Sequence, residues 1–213
     1  MIDMERMRFI LAGVLVWIST SLVAQSLFNE KELISNLKYL SSDSLQGRKT
    51  GTPGNAIART FVQRQFKKLG LLPFEAGYEL PFEFDTRTGE KIKGVNVAGW
   101  IKGKKDLYIV ISAHYDHVGV RNDKIYNGAD DNASGISALF AIAEYFSTHK
   151  PEHNLILVAF DAEEMGLRGA SAFVSKPPVA IEKIAVNLNM DMVARADKGE
   201  LVAVGTFYYP HLK

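Results

Sequence analysis

The sequence predicts an α/β fold, a three-layer sandwich with a mixed, largely parallel central sheet and helices on both faces. Three observations predict it. Leu107–Ser112 (LYIVIS) and Leu155–Phe160 (LILVAF) are unbroken apolar runs of strand length, the pattern of strands covered on both faces. A segment with helical apolar spacing follows each run, at Ser134–His149 and near Leu167–Val174. Two further apolar stretches, Ala185–Met190 and Leu201–Val204, continue the series. Strands alternating with amphipathic helices build parallel sheets.

The earlier elements follow the same logic. Leu33, Leu37 and Leu40 recur at helical spacing over Asn29–Leu40. Ser41–Pro53 carries Gly47, Gly51 and Pro53 and reads as a loop. Asn55–Leu69 places Ala58, Val62, Phe66 and Leu69 on one stripe and stops at Gly70, a helix with a glycine terminator. Tyr78–Phe84 and Val95–Ile101 read as strands separated by polar Thr86–Lys91.

At the amino end, the apolar run Phe9–Ile18 follows Arg6 and Arg8 and precedes STSLVAQS. This is the pattern of a secretory signal, with cleavage expected after Ala24. Asp3 and Glu5 are awkward in such a leader, and initiation at Met4 or Met7 would remove one or both. The run is too short to span a bilayer, so no stable membrane anchor is expected after cleavage. The expected location is periplasmic or secreted, with residues 25–213 as one catalytic domain.

Composition narrows the chemistry. The 213 residues hold 25 basic and 24 acidic side chains, a formal net charge of +1, and no cysteine. A near-neutral balance argues against a nucleic-acid partner. Without cysteine there are no disulfides, thiolate zinc sites, iron–sulfur clusters or cysteine nucleophiles. Any metal must be held by His, Asp and Glu.

Ligands bind beyond the carboxyl ends of strands in such sheets, and those are the places where the ionisable residues cluster. Leu107–Ser112 leads into AHYDH (residues 113–117), and the next helix opens after NGADDNASG (127–135). Leu155–Phe160 leads into DAEEMG (161–166), and Ala185–Met190 into Asp191. Singly, these residues could be helix caps or polar strand ends. Together, so many carboxylates on one sheet edge would repel each other unless cations compensated them. Imidazole with carboxylate and no thiolate suits zinc, with cobalt or manganese as alternatives. The number of carboxylates suits two ions.

SAHYDHVG, NGADDNASG, FDAEEMGLRG and NMDM, with LQGRKTGTPGN and NVAGWIKG upstream, resemble the exported co-catalytic zinc aminopeptidases. That family shares its fold with glutamate carboxypeptidase II and glutaminyl cyclase. The resemblance covers roughly residues 30–210. It implies two zinc ions: one on His114 and Asp191, one on Glu164, with Asp130 bridging both and a cis peptide bond after Asp130. It also implies Glu163 as general base, Asp116 as the partner orienting His114, and peptide substrates.

One departure accompanies the match. The family completes the Glu164 site with a histidine well downstream, and only 22 residues follow Asp191. The resemblance does not give His117 a ligand role, His149 and His153 suit surface positions, and His211 lacks the surrounding motif. The expectation is therefore a domain cut before its last zinc ligand, with an incomplete second site, an unpaired sheet edge and low turnover. Two alternatives remain open: a single-zinc glutaminyl cyclase, and a catalytically dead ectodomain of the transferrin-receptor kind. Side-chain specificity, carboxypeptidase or dipeptidase activity, and oligomeric state lie beyond the sequence.

Overall fold

The structure, a computed structural model, describes residues 27–200 and 202–205. The expected signal segment and His211 lie outside the described residues. Among those described, no helix is long and apolar enough to cross a membrane.

Helix α1, Glu30–Leu40, starts where the Asn29 side chain accepts the Glu32 N–H at 3.1 Å. A 3-10 segment at Asp43–Arg48 then leads to α2, Pro53–Lys68. This helix begins two residues before the expected Asn55. Thr52 caps it and Pro53 occupies its first turn, where a missing N–H costs nothing. Strands β1 (Glu79–Asp85), β2 (Lys91–Ile101) and β3 (Lys105–His114) follow. A small hairpin, β4 (Gly119–Arg121) and β5 (Lys124–Tyr126), adds two strands to those the sequence pattern predicts. Then come α3 (Gly135–Thr148), β6 (His153–Phe160), α4 (Arg168–Ser175) and β7 (Ile184–Asn189).

The main sheet has the order β1-β2-β6-β3-β7. Its β3–β6 and β3–β7 pairings are parallel, whereas β1–β2 and β2–β6 are antiparallel. The sheet is thus mixed, as expected, with β2 running against the common direction of β1, β6, β3 and β7. The short polar turn after β1 can join only antiparallel neighbours. A strand at Leu201–Val204 is not formed across the described part of that stretch, where Val202 and Val204 are 79% and 95% exposed.

Successive side chains of β6 serve two cores. Leu155, Leu157 and Ala159 join Leu40, Val62, Phe66, Ile136 and Leu139 beneath α1, α2 and α3. Ile156, Val158 and Phe160 turn the other way, toward Phe173 of α4. This two-sided burial is why β3 and β6 read as unbroken apolar runs. Parallel β3, β6 and β7 all end on one sheet edge, which puts His114, Asp161–Glu164 and Asp191 within reach of one another. Lys105 and His153 pair at the opposite end of the sheet, far from that edge.

Candidate metal centre

His114, the last residue of β3, is buried. Its Nδ1 lies 3.1 Å from the Asp116 carbonyl oxygen and 3.5 Å from Asp116 Oδ1. A proton on Nδ1, donated to that carbonyl, leaves the Nε2 lone pair facing outward. Nε2 has no hydrogen-bond partner, yet lies 3.2 Å from Asp131 Oδ1, 3.6 Å from Asp191 Oδ1 and 3.9 Å from Glu163 Oε2. Burial alone would lower the His114 pKa. The hydrogen bond and charge of Asp116, with Glu163 and Asp191, overcome this and raise it to about 9.

A second group adjoins the first. His117 Nδ1 lies 2.6 Å from Glu164 Oε1 and 3.7 Å from the other Asp131 oxygen, Oδ2. It is buried without a hydrogen bond of acceptable geometry. Among the described residues there are therefore two three-residue donor groups, His114–Asp131–Asp191 and His117–Asp131–Glu164. Asp131 belongs to both, with one oxygen turned toward each imidazole.

This corrects the assignment of Asp130 as the bridging carboxylate. Asp130 Oδ1 accepts the Ala194 N–H at 3.0 Å, and its backbone carbonyl accepts the Ser134 hydroxyl. The cis peptide bond is Asp131–Asn132, one residue later than expected. Two adjacent aspartates carry the same sequence signal, and only the turn decides which faces the sheet edge. Buried Asn132 holds that turn: its Nδ2 donates to the Met190 carbonyl and its Oδ1 accepts the Gly135 N–H. Gly128, at φ +55°, lets the loop pass close to His117; a Cβ there would collide with the Asp131 carbonyl oxygen.

The expected Glu163 and Glu164 follow β6 on a loop pinned by Asp116. Buried Asp116 accepts the Glu163 N–H at Oδ1, 3.1 Å, and the Glu164 N–H at Oδ2, 3.3 Å. The two side chains diverge, Glu164 toward His117 and Glu163 toward His114. Desolvation raises the Glu163 pKa; His114 opposes this, and Asp116, Glu164 and Asp191 add to it. A cleft beside Glu163 is lined by His114, Phe160, Glu163, Leu167, Asn189 and Asp191.

Zinc fits these donors. Metal–ligand distances of about 2.0–2.1 Å in a tetrahedron put ligand atoms roughly 3.3 Å apart, close to the 3.2 and 3.6 Å around His114 Nε2. Buried ring nitrogens without hydrogen bonds are the lone pairs a cation would use. His117, to which the family resemblance gives no ligand role, lies three residues after His114 in the segment that follows β3, and this brings it to the same edge. His149 is exposed and stacks on Tyr145, and His153 starts β6 at the far end.

Residues 96–211 match peptidase family M28. Among curated proteins, the chain is 25% identical over 166 residues to the alkaline phosphatase isozyme conversion protein of Escherichia coli, covering 71% of this chain and 48% of that one. It is 29% identical over 168 residues to aminopeptidase YwaD of Bacillus subtilis, covering 78% and 33%. The chain thus spans about half or less of the length of these relatives. Among solved structures, a Porphyromonas gingivalis glutaminyl cyclase superposes with TM-score 0.73 at 21% identity, covering 88% of this chain and 68% of that one. A Zn-dependent exopeptidase from Parabacteroides distasonis gives TM-score 0.67 at 20% identity, covering 78% and 62%. These structural likenesses establish the zinc-exopeptidase and glutaminyl-cyclase fold. The family pattern begins in β2 and takes in every candidate ligand: the chain belongs to peptidase family M28.

Proposed function

We propose that this chain is the catalytic domain of an exported zinc aminopeptidase with two zinc ions, acting on peptides. The observation that carries the proposal is the Asp131 carboxylate, whose two oxygens face two separate histidine-containing donor groups. A shared carboxylate between two cations is the arrangement of two-metal hydrolases, whereas a single-zinc cyclase needs one group only.

His114, Asp131 and Asp191 would hold one zinc, and Asp131, Glu164 and His117 the other. Two zinc ions would supply Lewis acidity toward the scissile carbonyl and acidify a water between them. Glu163 is the general base. It lies beside His114 Nε2, is partly exposed to the cleft, and binds a proton more readily than an ordinary carboxylate. It takes the proton from the attacking water and delivers it to the leaving amine, so the proton ends on the new amino terminus. Asp116 keeps the base and its neighbouring ligand apart through the two amides it accepts. Phe160 and Leu167 give the cleft an apolar wall for a side chain. The secretory-signal pattern read in residues 1–24 supports export.

The test is a panel of aminoacyl arylamides, amino-blocked peptides and N-terminal glutaminyl peptides, given to the full-length protein with and without chelator. The proposal expects chelator-sensitive release from free amino termini and two zinc per chain. Cyclisation of glutaminyl substrates with one zinc would support the cyclase alternative. No turnover of any substrate by zinc-loaded protein would overturn the enzymatic proposal.

A further inference from the structure

Among the described residues, Arg48 is the largest side chain that is buried completely, at 1% exposure. It lies at the end of the 3-10 segment, after Gln46 and Gly47, with all three residues at positive φ. The guanidinium binds carbonyl oxygens instead of a carboxylate. Nε donates to Tyr115 at 2.8 Å, Nη1 to Asn127 at 2.7 Å and to Leu40, and Nη2 to Gly128 at 3.0 Å. Its own carbonyl accepts the His117 N–H at 3.3 Å and Asn55 Nδ2 at 3.2 Å. Tyr115 separates His114 from Asp116, and Asn127 and Gly128 lead into the turn bearing Asp131.

We propose that Arg48 is a positioning residue for the metal centre, a fork that locks the loop bearing His114, Asp116 and His117 to the loop bearing Asp131. The proposal rests on the metal centre described above. The distance between the two imidazoles and the shared carboxylate is set by how these loops sit against each other, and the hairpin β4–β5 lies between them in sequence. Arg48 spans that break directly. Only a guanidinium offers five donors in one rigid plane, and four carbonyl oxygens, three of them in these two loops, accept from it. A buried cation is costly unless every donor is satisfied. An apolar side chain could fill the space, so the charge needs a reason. Burial lowers the Arg48 pKa to about 10, and Asp116 and Asp131 oppose that shift. The group is thus cationic at neutral pH and lends positive potential to an acidic site.

The experiment compares zinc affinity, by chelator competition, in the full chain and in Arg48→Lys and Arg48→Gln. Residues that orient metal ligands change affinity by roughly 10–100-fold, and both variants should show a loss of that size. Full affinity in Arg48→Lys would overturn the fork, since charge alone would then suffice. A lower melting temperature with unchanged affinity in both would also overturn it, leaving Arg48 a packing residue. In case the variants do not fold, hydrogen exchange on the wild-type protein supplies a second measurement. Amides at residues 115–117 and 128–134 should gain protection together as zinc is titrated, and separate ordering of the two loops would contradict the lock. Wild-type zinc affinity reports on the centre itself, so failure of the centre and failure of the fork are distinguishable.

Discussion

Asp116 joins the two halves of the site: its carboxylate accepts the N–H groups of both Glu163 and Glu164, while its backbone carbonyl lies 3.1 Å from His114 Nδ1. One buried residue therefore sets the tautomer of a candidate ligand through its main chain and the position of the candidate base through its side chain. Asp116→Asn keeps the carbonyl but presents an NH2 group to one of the two loop amides. It should lower turnover far more than it lowers zinc affinity. Parallel measurement of kcat and of zinc Kd checks this, and equal losses in both would place the main role of the carboxylate at His114.

The two aspartates of the NGADDNASG segment should behave differently. Asp131→Asn removes a charge shared by both donor groups and should reduce bound zinc at both positions. Asp130→Asn retains an oxygen for the Ala194 amide and should leave zinc content at its wild-type value. Metal analysis of the two purified variants decides between them.

The histidines should separate the two cations. His117→Ala should weaken one zinc and spare the other, which His114, Asp131 and Asp191 hold, and His114→Ala should do the converse. Titration with zinc in a calorimeter would read each as loss of one binding step. Two intact steps in His117→Ala would remove His117 from the ligand set.

Asp161 gives a pH signature independent of the metal. It is buried, accepts Thr50, Asn55, Val95 and Ala162 groups, and has its pKa raised by burial and by Asp116 in spite of those bonds. A carboxyl whose folded pKa lies above its unfolded value binds protons more readily in the native state. It therefore adds stability as pH falls through the folded pKa and withdraws it as pH rises. In metal-free protein, wild type should gain stability relative to Asp161→Asn on acidification. Denaturant unfolding of both proteins across mildly acidic pH measures the difference.

Much of this molecule was legible in its sequence because apolar periodicity reports burial directly. Alternate residues of LYIVIS and LILVAF feed different cores, so the runs declare a two-sided sheet, and the ends of those runs declare where the ionisable groups meet. Strand direction was less legible, since nothing in β2 itself says that it runs against β6. The hairpin at Gly119–Tyr126 has strands of three residues, too short for a periodic signal. Within the site, sequence located the acidic pair but not which member faces inward, because that depends on a turn fixed by Asn132 contacts with Met190 and Gly135. The place of His117 in the site is illegible in the sequence for a similar reason: its backbone N–H bonds to the distant Arg48 carbonyl.

In the proposed centre Asp131 lies between two cations. Anomalous diffraction at the zinc edge from crystals of the zinc-loaded full-length protein tests it most directly. Two peaks about 3.5–4 Å apart are expected, one near His114 and Asp191 and one near Glu164 and His117, with the Asp131 carboxylate between them. A single peak, or two peaks bridged by Asp130, would contradict it.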